Sequence, residues 1–94
     1  MEEIKELLEG LFEHVIIESK HYVKAVTYKY SVEVNEIEEG IYLVIVKKLG
    51  QTIAKETISG NAIIRHLHYL NGMFELVEKT EKKLAALKEE LRVI

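Results

Sequence analysis

The chain has 94 residues, of which 48% are hydrophobic and 31% charged, with a formal net charge of −3 and no cysteine. One domain of that length holds a small core, and the missing thiols exclude a disulfide framework, a thiolate nucleophile and any cysteine-held zinc or iron–sulfur centre. The acidic total disfavours a protein that coats nucleic acid, and no uncharged apolar run approaches the roughly 20 residues of a membrane helix.

All 16 acidic residues are glutamate, proline is absent, and lysine outnumbers arginine 11 to 2. A chain rich in Glu, Lys and Ile and poor in thermolabile side chains fits a hot-living source. The first residues lack a signal-peptide pattern, so the expected location is the cytoplasm.

In the first segment Ile4, Leu7, Leu8, Leu11, Phe12 and Val15 recur at helical spacing, which predicts an amphipathic helix from Glu2 to Glu13 with an extension up to Ile17. Glu2, Glu3 and Glu6 stand where the helix dipole favours anions. Residues 1–18 hold six glutamates against Lys5, whereas residues 20–32 hold Lys20, Lys24 and Lys29 with no acid. The most acidic stretch therefore precedes the most basic one.

From Tyr22 to Val34 the period changes to two, as in a half-buried antiparallel strand. Read as one strand, it puts Val26, Tyr28, Tyr30, Val32 and Val34 on the core face and Ala25, Thr27, Lys29, Ser31 and Glu33 on the other. Asn35 to Gly40 supplies turn residues, with Glu36, Glu38 and Glu39 as a solvated tip. Ile41 to Leu49 is a second strand, apolar on both sides as a covered strand should be. Gly50 and Gln51 turn the chain into a third, Thr52 to Ile58, and Ser59, Gly60 and Asn61 form an N-cap cluster.

A long helix is then predicted from Asn61 to Leu91. Ile63, Leu70, Val77, Leu84 and Leu91 fall on every seventh position, with Met73, Leu87 and Ile94 on companion positions. Asn71-Gly72 is a turn dipeptide, but the spacing passes through it without a change of phase, so one continuous helix is expected. At about 1.5 Å per residue it is roughly 45 Å long, against a diameter of roughly 32 Å for a compact chain of this size. Part of the helix should overhang its own domain, leaving leucines in need of a partner.

These elements compose a single α+β domain over residues 1–94: an N-terminal helix, a three-stranded antiparallel meander and a long C-terminal helix, αβββα. The same order of elements occurs in the Alu-RNA-binding subunits of the signal recognition particle and in small YbaB-type nucleoid proteins. That likeness is architectural, rests on no motif residue and transfers no site.

Candidate chemistry is sparse. His66 and His68 are two apart on a helix, so they point to opposite sides and do not share a metal. His14 and Glu18, four apart on the first predicted helix, have ligand spacing but make only two ligands. Ser19 lies near His21 without an elbow or oxyanion turn, and no phosphate-binding or nucleotide fingerprint is present. No catalytic residue, cofactor or metal is expected.

The leading expectation is a non-catalytic homodimer, a protein-interaction or assembly module that associates through Leu70, Val77, Leu84, Leu87 and Leu91 of the long helix, with another protein as an alternative partner. The second is a nucleic-acid-binding regulator, from a thermophilic archaeon or one of its viruses or plasmids, using Lys24, Lys29, Lys47 and Lys48 on a basic sheet face. A membrane partner is not expected.

Overall fold

The computed structural model describes residues 1–93, with backbone alone at Ile17, Glu18 and Val93, so Ile94 lies outside the described residues. The elements in chain order are α1 (Glu2–Leu11), β1 (His14–Ser19), β2 (Tyr22–Thr27), β3 (Tyr30–Glu38), β4 (Ile41–Lys48), β5 (Gln51–Ser59) and α2 (Ala62–Val93). The order helix, antiparallel meander, long helix is the one expected. The meander has five strands rather than three, in the order β1-β2-β3-β4-β5, which also departs from the αβββα analogy.

The first extra strand comes from the end of the predicted helix. Phe12 leaves α1 in an extended conformation, φ −115° and ψ 154°, while its N–H still bonds the Leu8 carbonyl at 2.9 Å. Gly10 weakens the last turn, and the β-branched run Val15, Ile16, Ile17 prefers a pleated surface. Those residues pair with Ala25, Lys24 and Val23 of β2.

The second extra strand comes from a turn without the usual residues. The predicted strand from Tyr22 to Val34 is a hairpin whose two-residue tip is Tyr28-Lys29, with Thr27 opposite Tyr30. Tyr28 has φ 50°, a left-handed conformation that costs a non-glycine residue about 1 kcal/mol or more. Reversal at a two-residue tip swaps parity: odd residues of β2 share a face with even residues of β3. Val23 and Ala25 therefore join Tyr30, Val32 and Val34 in the core, and Val26 moves to the opposite face. At the β4–β5 tip, Leu49 and Gly50 both have positive φ, 51° and 84°, as a type I′ hairpin turn requires.

Both helices lie on the same face of the sheet. Ile4 and Leu8 of α1, Phe12, and Ile63, Leu67, Leu70 and Phe74 of α2 form one core with Val23, Ala25, Tyr30, Val32, Val34, Val44 and Val46. Phe74 stacks on Tyr30 with ring centroids 4.2 Å apart and planes within 9°. Five strands span roughly 24 Å, while two helices cover roughly 20 Å, so the edge strand β5 is the least covered. Among the described residues no helix covers the second sheet face.

α2 runs unbroken through Asn71-Gly72 for 32 residues, about 48 Å. The radius of gyration is 15.6 Å and the longest axis 58 Å, against about 12 Å for a compact chain of this length. Buried Leu70 and Phe74 grip the sheet on either side of Gly72 and hold the helix straight where its propensity is weakest. Among the described residues no helix is long and apolar enough to cross a membrane.

Candidate association surface

Among the described residues, the last hydrogen bond and ion pairs from the helix to the sheet are those of Glu81. One oxygen of its carboxylate accepts from the Tyr28 hydroxyl at 3.0 Å and pairs with Lys29 Nζ at 2.9 Å; the other lies 3.5 Å from Lys48 Nζ. The Lys29 ammonium also sits 5.3 Å over the Tyr28 ring. These contacts hold the Glu81 carboxyl below its ordinary range, chiefly through the Lys29 hydrogen bond and then that of Tyr28, and they raise Lys29 in turn. The left-handed tip of β2–β3 is thus fastened to the helix where the helix leaves the sheet.

Beyond Glu81 the helix continues for 12 more described residues, about 18 Å. Leu84, Leu87 and Leu91 are 52%, 54% and 71% exposed there. At about 100° per residue these three centre roughly 100° around the axis from the line Ile63, Leu67, Leu70, Phe74 that faces the sheet. They extend the side of α2 that carries Tyr69, Met73 and Leu76. On that side His66 Nε2 lies 3.6 Å from Glu56 of β5, and Met73 and Tyr69 wall a cleft over Ala54 and Val46. An exposed apolar stripe therefore follows the uncovered β5 flank from Tyr69 to the helix end.

Of the five residues expected to form a seam, Leu70 is only 4% exposed and belongs to the monomer core. Val77 is half-buried against that core, and Leu84, Leu87 and Leu91 are the exposed remainder. Tyr69 and Leu76 were not anticipated, although their spacing of seven was visible. The Glu81 clamp had no local signal, because its partners are 53, 52 and 33 residues away in the chain.

The four lysines of the nucleic-acid reading are not brought together. Lys24 and Lys47 stand on the open sheet face around Glu33, whose side chain is 12% exposed; Lys47 Nζ lies 2.8 Å from Glu33 Oε2, and the Tyr22 hydroxyl donates to Oε1. Lys47 and then Tyr22 hold the Glu33 carboxyl below its ordinary range. Lys29 and Lys48 converge instead on Glu81. Each pair of cations encloses a carboxylate; Tyr30 is in the core as expected, whereas Tyr28, expected on the same face, stands exposed at the tip, and Tyr22 lies on Glu33.

The histidines are similarly dispersed. His14 and Glu18 fall on strand β1, where four residues span about 13 Å, so the helical ligand spacing does not apply. His21 Nδ1 is 2.8 Å from Glu36 Oε1 beside a shallow depression, but the Ser19 oxygen accepts from the His21 backbone amide at 3.3 Å rather than facing the ring. Among the described residues no hydrogen bond joins that oxygen to a ring nitrogen, the base a nucleophile requires. Among the described residues no three His, Asp, Glu or Cys side chains gather as a metal site would need. No protein-family model matches this chain, and neither does a curated protein or a solved structure.

Proposed function

We propose that the protein is a non-catalytic assembly module that forms a homodimer through the projecting end of α2. The observation that carries this is the exposure of Leu84, Leu87 and Leu91 on one side of a helix that has passed the edge of its own sheet. Fully burying each is worth roughly 1.5–3 kcal/mol, and about half of that stays unrealised in one chain. A second copy offers the same stripe at the same place, which is what a two-fold contact requires. The lysines support this over the nucleic-acid reading, since Lys29, Lys47 and Lys48 are each already placed against a carboxylate.

Sedimentation over a concentration series tests the reading. The expected result is a dimer that dissociates on dilution, and a monomer when Leu84 and Leu91 are both changed to Lys. The double variant should keep its far-ultraviolet spectrum and its unfolding midpoint in dilute solution, because neither residue belongs to the monomer core. A wild-type chain that stays monomeric at about 100 μM, far above the range of specific association, refutes it.

A further inference from the structure

Resting on that self-association, we infer that the two α2 tails pair antiparallel in one register, with Leu84 of each copy opposite Leu87 of the other and Thr80 opposite Leu91. The commitment comes from the charges that border the stripe. Val77, Thr80, Leu84, Leu87 and Leu91 alternate in steps of three and four, the spacing of a two-helix seam. The residues preceding Leu84 and Leu91 on one flank are Lys83 and Glu90. Those following Thr80 and Leu87 on the other flank are Glu81 and Lys88.

A parallel pair crosses the flanks, so Lys83 of each copy meets Lys88 of the other, a like-charge contact made twice. In an antiparallel pair like flanks face each other. With Leu84 opposite Leu87, Lys83 meets Glu90 and Glu81 meets Lys88, so all four contacts join opposite charges. Sliding one heptad either way sets Lys83 against Lys83 and Glu81 against Glu81, or Glu90 against Glu90 and Lys88 against Lys88. One arrangement alone avoids like charges, and repulsion across an interface is what selects register.

The structure leaves this arrangement open. Lys83 and Glu90 are both exposed, and Glu81 and Lys88 wall one cleft with Tyr28, Lys29, Leu84 and Ala85 beside the hairpin tip. Glu81 already holds Lys29 and Lys48, so the discriminating contact is Lys83 with Glu90. In this register the two sheets stand at opposite ends of the paired helices, clear of one another.

The chain has no cysteine, so single thiols report the geometry directly. Thr80→Cys and Leu91→Cys, mixed in equal amounts and oxidised, should give a disulfide-linked heterodimer. Each alone should not cross-link, since the inferred register holds like positions 11 residues apart, about 16 Å. Lys83→Glu should weaken the dimer by about 3- to 10-fold, and adding Glu90→Lys should restore it. Cross-linking of Thr80→Cys with itself, or tighter association of Lys83→Glu, overturns the inference in favour of parallel helices. A wild-type dimer whose mixed thiols do not cross-link also overturns it, while leaving self-association intact. A chain that sediments as a monomer at every concentration removes both.

Discussion

Replacing Gly72 by alanine should stabilise the protein, and the effect tests whether α2 is one helix. Gly72 sits within α2, its backbone lies outside the left-handed region, and a Cβ built there meets no atom within 4 Å. Glycine in a helix interior is about 0.8–1.0 kcal/mol worse than alanine, so Gly72→Ala should raise the unfolding free energy by about 0.5–1 kcal/mol. For a domain of this size that shifts the thermal midpoint upward by about 2–8 °C. Gly60→Ala is the internal control: space around it is equally open, but its φ is +61°, so the added Cβ is strained and the change should destabilise by about 1 kcal/mol. Urea denaturation of both variants, with unchanged slope, is the assay. A loss of stability in Gly72→Ala would mean that residues 71 and 72 make a turn that needs glycine, and the overhang would disappear with the straight helix.

Phe74→Ala removes the ring that stacks on Tyr30 and fills the centre of the core, where it is 1% exposed; the expected loss is about 3–5 kcal/mol by the same denaturation assay. Acid should also destabilise the fold. The Glu33 and Glu81 carboxyls titrate below their ordinary value of 4.5 in the folded chain, so on acidification the unfolded chain takes up protons first. Stability present above pH 4.5 should therefore drain away as the pH falls through the lowered values, and Glu81→Gln should flatten part of that slope. Lys47→Met keeps the aliphatic stem but leaves the largely covered Glu33 carboxylate with Tyr22 and a more distant Lys24; a loss of about 1 kcal/mol at neutral pH, shrinking in acid, is expected.

Periodicity carried most of the fold, and it misled where two periods overlapped. The long helix was legible because its apolar spacing passes through Asn71-Gly72 unchanged, and Leu70 and Phe74 bear out why that dipeptide does not turn. The strands Ile41–Leu49 and Thr52–Ile58 were legible from alternation and from Gly50. β1 was hidden because Val15 also fits the helical spacing begun at Ile4, and the β-branched run that outvotes it is only three residues long. The Tyr28-Lys29 tip was hidden because it contains neither Gly nor Asn and because a two-residue reversal leaves the alternation of apolar residues looking continuous. The Tyr28 hydroxyl donates to Glu81, and no local pattern encodes a partner 53 residues away. Counting strands wrongly also misplaced the surface: Val26 and Lys24 face outward together, while Tyr30 faces Phe74.

Each strand pairs only with its neighbours in the sequence, through connections of two residues at all four tips. Bringing such partners together closes only short loops, so little chain entropy is lost before contacts form. The sheet should zip up hairpin by hairpin, with the docking of Phe74 and Leu67 onto Tyr30 and Val32 as the late, distant step. Residues beyond Glu81 lie outside that core, with only Leu84, Ala85 and Lys88 standing beside the Tyr28-Lys29 tip. Substitutions in the tail should accordingly leave refolding and unfolding rates of the dilute chain unaltered, so that its composition is free to answer to encounter with other molecules alone.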